Sequence, residues 1–500
     1  MYREVKTLFY KSTRGKGKVV KASEAIVRGI AEDGGLYVPE EFPKITKSFE
    51  ELGEMTYQEL ALYIMKMYFD DFDEEVLKES IDKAYDDKFE NTNIAPLNYK
   101  NGVHFLELYH GKTLAFKDMA LSILPYLLTT AAKKIGITKE IVILTATSGD
   151  TGKAALEGFD SVKGTKIIVF YPKHGVSEIQ RMQMTTQEGK NTFVVGIEGN
   201  FDDAQSGVKE IFGDVAFNQF LNKNGYMFSS ANSINIGRLV PQVVYYVYTY
   251  VNLLKDKKIK SGESINVVVP TGNFGNILAA YYAKIMGIPI ARLICASNEN
   301  NVLTDFINTG VYDRIRKFFV TNSPSMDILI SSNLERFLYE ISGRNEEIIF
   351  SLMEQLKDGG KYEINETMKE NLKVLYGGFS NETETLNAVK EVYETSNYVI
   401  DTHTAVAYNV YKQYKKSTGD ERAAVIASTA SPFKFPRSIN EALKFADSSA
   451  SEFEMLEELS DKLNIKIPKG IVGLDKKEVC HKVTCNKHEM REVIKEFLEI

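Results

Sequence analysis

Four short stretches of the chain bring together residue types that could do chemistry. The first is His110-Gly111-Lys112-Thr113-Leu114-Ala115-Phe116-Lys117-Asp118. Its spacing predicts a helix that begins near Thr113 or Ala115 and runs on through Leu121 and Leu124, with Lys117 in the first turns. An amine held against apolar walls at the positive end of a helix is disfavoured as an ammonium. Such a lysine can form a Schiff base. Taken alone, the plainer reading is a solvated helix lysine paired with Asp118 or its neighbours. The second stretch, Thr147-Ser148-Gly149-Asp150-Thr151-Gly152, lies between an apolar run at 141–144 and the helical Ala154-Ala155-Leu156. Free backbone N–H groups and small hydroxyls at a helix start suit a carboxylate or a phosphate. A plain capped turn would use the same residues. Gly152-Lys153 is no P-loop, because Thr147 stands where that motif needs its first glycine.

The third stretch is Gly272-Asn273-Phe274-Gly275-Asn276, between a strand pattern from Ile265 and a helix pattern at 277–286. Two glycines and two asparagines allow tight backbone and the close approach of an anion, where a structural turn would need at most one of the glycines. The fourth, Ser428-Thr429-Ala430-Ser431-Pro432-Phe433-Lys434-Phe435, offers Thr429 as a strand-end hydroxyl; the bland alternative is an edge threonine before a loop. Two further segments are suggestive. Asn232, Asn235 and Arg238 lead into a helix. Asp401-Thr402-His403 follows a short extended run at 398–400, which makes His403 a strand-end group, although a lone histidine is more often structural.

The elements that must position these residues follow from the texture of the chain. Short β-branched runs recur at 141–144, 166–170, 191–197, 265–269, 291–294 and 423–426. Several are followed by glycine, serine or threonine and then by a helical pattern. That alternation predicts βα units and a mostly parallel sheet, with ligands at the carboxyl ends of the strands. Residues 1–95 differ. Thr56 and Glu59 form a capping box before Tyr57, Leu60, Ala61 and Ile64, and a second helix begins at Asp73, so a small, mainly helical N-terminal domain is expected. Residues 299–394 are charged and helical in pattern, and 359–384 reads as an irregular connection or insertion.

Composition narrows the class. The 500 residues carry 61 Lys plus Arg against 68 Asp plus Glu, a net charge of −7. No cation excess is present for a nucleic-acid backbone. Hydrophobic residues at 44% and charged residues at 26% are ordinary globular values, which excludes wholesale disorder. No signal peptide and no membrane span is expected, and a cytoplasmic protein is the default reading. Cys295, Cys480 and Cys485 are too few for a disulfide framework. The Cys480-His481, Cys485 and His488 cluster is loosely zinc-like but lacks a second knuckle, and no metal is expected.

Taken together, these loops resemble the threonine synthase family of fold type II pyridoxal-phosphate enzymes, over nearly the full length. Residues 29–39 (Gly-Ile-Ala-Glu-Asp-Gly-Gly-Leu-Tyr-Val-Pro) are similar to the family's N-terminal signature. Residues 110–118 are similar to its lysine motif, 147–152 to its Ser-Gly-Asp-Thr-Gly loop, and 183–186, 232–235, 270–276 and 429–435 continue the match in order. The resemblance implies an α/β fold of two parallel-sheet lobes with an N-terminal mainly helical domain, divided as 1–95, 96–250 and 251–500. It implies that Lys117 holds pyridoxal 5'-phosphate as an imine and shuttles protons. Gly272, Asn273, Phe274, Gly275 and Asn276 would cradle the cofactor phosphate, and Thr429 would face the pyridine nitrogen. Ser148, Gly149, Asp150 and Thr151 would hold the substrate α-carboxylate, with Thr113, Asn235 and Arg238 as candidates for the substrate phosphate. The implied reaction takes O-phospho-L-homoserine and water to L-threonine and phosphate, in a monomer or homodimer with no nucleic-acid or membrane partner. Lys112, Ile236-Gly237 and Ser431-Pro432-Phe433 depart from the family's usual residues, and none of them touches the roles of Lys117, 272–276 or Thr429. A threonine or serine dehydratase, a nucleotide-binding ATPase and a non-catalytic binding protein are the rival readings.

Overall fold

The structure, a computed structural model, describes residues 7–147, 149–173 and 176–500. The apolar runs become strands of two sheets. A six-stranded sheet orders Leu375–Phe379, Ile290–Ser297, Ile265–Pro270, Ala424–Ser428, Val103–Glu107 and Leu97–Lys100 side by side. Its pairings are parallel except the last, where Leu97–Lys100 runs antiparallel to its neighbour. A five-stranded, all-parallel sheet orders Thr484–Cys485, Thr192–Ile197, Thr165–Pro172, Glu140–Ala146 and Tyr226–Ser229. Central strands buried on both faces read as continuous apolar runs, and every residue of Ile265–Pro270 and Ala424–Ser428 is buried.

The N-terminal region is helical beside a small antiparallel sheet of Phe9–Ser12, Val20–Lys21 and Tyr37–Pro39. Thr56 and Glu59 close the expected capping box on helix Tyr57–Tyr68, and Asp73 caps Glu74–Ala84. This region is tied to the site. The Tyr85 hydroxyl donates to the Met119 carbonyl at 2.7 Å, two residues from Lys117. Fully buried Arg336 donates to the Tyr37 carbonyl at 2.9 Å, to Asn333 Oδ1 at 2.6 Å and to the Ile234 carbonyl at 2.6 Å. One guanidinium thus joins the N-terminal sheet, the 299–394 region and the start of helix Ile236–Lys255.

Three expectations change. The helix expected from Thr113 or Ala115 starts only at Asp118–Leu121 and resumes at Leu124–Lys134, because Leu114 takes a left-handed φ of 59° and turns the chain first. The 359–384 stretch is no irregular connection, since Leu375–Phe379 pairs with Ile290–Ser297 in the main sheet. Its Gly377-Gly378 reads as a turn but lets helices close in: a Cβ on Gly377 would meet Ile307 at 3.0 Å, and one on Gly378 would meet Val410 at 2.7 Å. Asp401 does not end a strand. It caps helix Thr402–Thr418, accepting the His403 and Thr404 amides.

Candidate active site

Lys117 sits just before helix Asp118–Leu121 and is buried, its amine at the junction of the two sheets' loops. The turn that places it is held by Asp118, which accepts the Thr113 amide at 2.8 Å and the Thr113 hydroxyl at 2.5 Å. Across the turn, the Phe116 amide donates to the Thr429 carbonyl at 2.8 Å. Strand Ala424–Ser428 thereby fixes the lysine loop, and Thr429 follows directly at its carboxyl end, buried.

The Lys117 amine donates to Ser325 Oγ at 3.0 Å and lies 3.4 Å from Asp150 Oδ2. Burial pushes this amine below the usual lysine range. The Asp150 charge acts in the opposite direction, while Lys434 and Arg238 add to the depression. Asp150 opens helix Asp150–Phe159 after strand Glu140–Ala146. Its carboxylate is held by Lys434 Nζ at 3.0 Å, the Gln180 amide at 3.0 Å and the Ser325 hydroxyl at 3.1 Å. Burial alone would raise this carboxyl; the charges of Lys434 and Lys117 overcome it and hold it far below the carboxylate range. Asp150 is therefore an anion that organises cations, so residues 149–151 can offer an incoming anion only backbone N–H groups and the Thr151 hydroxyl. Thr147 Oγ1 accepts the Gly149 and Gly152 amides at 3.0 and 2.9 Å and fixes the loop. Ser148 lies outside the described residues.

The 272–276 loop joins strand Ile265–Pro270 to helix Gly275–Met286. Phe274 stands at a left-handed φ of 63°, a cost of about 1–3 kcal/mol for a non-glycine residue. That turn aims the first helical N–H groups at the loop's concave side. Asn276 is fixed from behind: its Oδ1 accepts the Tyr245 hydroxyl at 2.9 Å and also the Tyr246 hydroxyl. Its Nδ2 is buried with no partner. A buried, unsatisfied amide costs free energy until a ligand accepts from it, and beside a helix N-terminus an anionic acceptor suits it. Gly272 must be glycine for a local reason, since a Cβ there would meet the Ser325 carbonyl oxygen at 2.6 Å. The Asn273 carbonyl accepts from the amide and side chain of Asn333 at 3.0 and 3.1 Å, which moors the loop to the 299–394 region.

The expected substrate residues fare differently. Thr113 is fully buried, its amide and hydroxyl on Asp118 and its carbonyl accepting Lys434 Nζ at 2.6 Å. Asn235 caps helix Ile236–Lys255, and its amide donates to the Ile26 carbonyl at 2.9 Å. Arg238 gives one Nη to the Ala231 carbonyl at 2.8 Å and keeps a buried Nε without partner; burial lowers this group to about 10. Sequence reasoning missed Lys434, Gln180 and Ser325 as site residues. Lys434 lay inside a motif already in view and could have been found as a cation at a strand end; Ser325 carried no local signal.

Two sheets whose carboxyl-end loops converge on a buried lysine, beside a glycine-asparagine anion loop, define a fold type II pyridoxal-phosphate-dependent enzyme. The pyridoxal-phosphate dependent enzyme family matches residues 89–429, flanked by the threonine synthase N terminus at 9–85 and the threonine synthase C-terminal family at 404–481. Threonine synthase of Saccharomyces cerevisiae is 36% identical over 487 residues, covering 91% of this chain and 93% of that protein. Threonine synthase-like 1 of Homo sapiens is 42% identical over 450 residues, and the match takes in 87% of this chain but only 60% of that longer protein. The crystal structure of pyridoxal-phosphate-bound threonine synthase from Brucella melitensis superposes with a TM-score of 0.87 at 32% identity, covering 98% of this chain and 99% of that one. The chain belongs to the threonine synthase family. Its cofactor is pyridoxal phosphate, and the orphaned Asn276 amide and the glycine-shaped 272–276 loop fit that group. Among the described residues, no helix is long and apolar enough to cross a membrane.

Proposed function

We propose that this enzyme converts O-phospho-L-homoserine and water to L-threonine and phosphate, in the cytoplasm, as the last step of threonine biosynthesis. The observation that carries the reading is the local charge. Lys434 and Arg238 act on the same buried Lys117 amine, with Asp150 as the counter-anion. Such a surplus suits ligands that bring more than one anionic group. The cofactor, when bound, supplies an electron sink for charge developing on substrate carbon.

The chain's own residues do the rest. Lys117 would tether the cofactor, take protons from the substrate's Cα and Cβ, and deliver protons to Cγ and Cα, while water supplies the hydroxyl at Cβ, a role helped by burial that brings its two protonation states closer in energy. Gly272, Asn273, Phe274, Gly275 and Asn276 bind the cofactor phosphate through helix-start N–H groups and the free Asn276 amide. Thr429 faces the pyridine nitrogen with a neutral hydroxyl. Ser148, Gly149, Asp150 and Thr151 receive the α-carboxylate through backbone N–H groups, while the Asp150 side chain keeps Lys434 and Lys117 in place. Arg238, with its unpartnered Nε, receives the substrate phosphate; Thr113 and Asn235 shape the walls. Domains are assigned as 1–95, 96–250 and 251–500, with strands Leu97–Lys100 and Val103–Glu107 lent to the sheet of the last and Thr484–Cys485 to the sheet of the middle one, and the unit of function as a monomer or homodimer.

The test compares phosphate release and threonine formation from O-phosphohomoserine with ketoacid formation from threonine, using purified holoenzyme. Threonine and phosphate in equal amounts are expected. Ketoacid without phosphate release would identify a dehydratase and refute the assignment.

A further inference from the structure

The short 3-10 turn Pro324–Met326 lies against the lysine and presents one hydroxyl to it. Ser325 Oγ is 3.0 Å from Lys117 Nζ and 3.1 Å from Asp150 Oδ2. Those three groups form a closed triangle. A carboxylate only accepts hydrogen bonds, so Asp150 can take an N–H of Lys117 but can give nothing to the lone pair of the neutral amine. A hydroxyl both donates and accepts. Ser325 accepts from the Lys117 ammonium while its own hydrogen lies on Asp150, and by turning that hydrogen from Asp150 to the nitrogen it can also serve the lone pair of the neutral amine.

The turn is fastened from beneath. The Ser325 amide donates to His403 Nε2 at 3.1 Å, and His403 Nδ1 stands 2.8 Å from Asp401 Oδ2. A backbone N–H can only donate, so Nε2 must be the unprotonated nitrogen and Nδ1 carries the hydrogen toward Asp401. Asp401 sets that tautomer and is itself locked by the His403 and Thr404 amides. The neighbouring Thr402 hydroxyl donates to the Asn322 carbonyl at 2.6 Å. On the far side, Asp327 accepts from Asn298 at 2.8 Å and from Asn300 at 2.9 Å. His403 and Asp401 are buried at 2% and 0% exposure, so no water competes for these bonds.

We propose that Ser325 is a further catalytic residue of this site, the hydroxyl that keeps the Lys117 amine aligned through its protonation changes, and that the Asp401–His403 pair is the positioning device that holds it there. The inference rests on Lys117 being the reacting amine. Its test therefore begins on cofactor-free protein. Hydrogen exchange of the Ser325 amide is measured in wild type, His403→Phe, which keeps the ring but removes the acceptor, and His403→Gln, whose amide oxygen can occupy the place of Nε2. Exchange about tenfold or more faster in His403→Phe and near wild type in His403→Gln is expected. In the loaded enzyme, the pH midpoint of the lysine-linked cofactor absorbance shifts in Ser325→Ala and His403→Phe and returns in Ser325→Thr and His403→Gln. Ser325→Ala loses about 10- to 100-fold in kcat with KM nearly unchanged. An unchanged Ser325 amide in His403→Phe, or Ser325→Ala with wild-type midpoint and kcat, overturns the proposal. A wild type that releases no phosphate refutes the reaction assignment instead, and exchange and absorbance still decide the role of Ser325.

Discussion

Replacing Lys434 by methionine removes a buried charge while keeping most of the side chain's bulk. Lys434 is 0% exposed and stands 3.0 Å from Asp150 Oδ1. At an effective dielectric near 20, that contact is worth about 5 kcal/mol of direct attraction. Removing one member of a buried pair costs about 3–5 kcal/mol, because the other charge is left without compensation. Asp150 keeps Gln180, Ser325 and the more distant Lys117, so the lower figure, about 3 kcal/mol, is expected. The site also loses the bond from Lys434 Nζ to the Thr113 carbonyl, which spans 321 residues of sequence. Native-state hydrogen exchange at the Phe116 amide reads this locally, because that amide bonds to Thr429 on the opposite side of the lysine loop. A loss of about 3 kcal/mol appears as exchange about 100-fold faster. The cycle is completed with Asp150→Asn and the double variant, in which the unpaired charge no longer exists and much of the loss is recovered. Acceleration of Phe116 exchange under about threefold, or single losses that simply add in the double variant, would refute the reasoning.

Lys117→Ala is expected to bind pyridoxal phosphate without a borohydride-reducible band and to abolish turnover; a surviving reducible band would place the tether elsewhere. Gly272→Ala drives a Cβ to 2.6 Å from the Ser325 carbonyl. It should weaken cofactor binding by about tenfold or more, measured by equilibrium dialysis, and unchanged affinity would show that the loop yields. Tyr245→Phe with Tyr246→Phe frees the Asn276 amide to rotate and should weaken cofactor binding further than either single change. Glu157 is raised by burial, but Lys153 and Lys112 overcome that and pull it down to about 2. A depressed carboxyl contributes stability that is fully present above its unfolded value near 4.5 and is lost as pH falls from there through about 2. Glu157→Gln should therefore lose about 3 kcal/mol at neutral pH and converge with wild type near pH 2. Parallel acid-unfolding curves would count against it.

What the chain discloses locally, it discloses well. The six β-branched runs are strands, and the loops at 110–118, 147–152, 272–276 and 429–435 meet where strand-end chemistry predicts. Each of those signals is a composition effect within ten residues. The missed groups are tertiary. Ser325 lies 208 residues from Lys117 in a segment whose charge and helical pattern say nothing of a hydroxyl in the site. Strand Leu375–Phe379 was hidden because Gly377-Gly378 has the same appearance whether it makes a turn or clears room for Ile307 and Val410. Asp401 has the same side chain whether it ends a strand or caps a helix, and only the cap, with its fixed His403 tautomer, gives that histidine its orientation.

The five-stranded sheet takes its outer strand, Thr484–Cys485, from far along the chain. Phe497 stacks on Phe193 with ring centroids 4.5 Å apart, and the Tyr226 hydroxyl reaches the Leu498 carbonyl across 272 residues. During synthesis, strand Thr192–Ile197 must therefore wait beside the ribosome with an open edge long after its own partners have paired. An unpaired apolar edge is the kind of surface that recruits neighbouring chains. Nascent chains halted before residue 484 should be chaperone-dependent and prone to clump, while chains carried past residue 498 should be self-sufficient, so residues 484–498 govern the yield of folded enzyme without touching its chemistry.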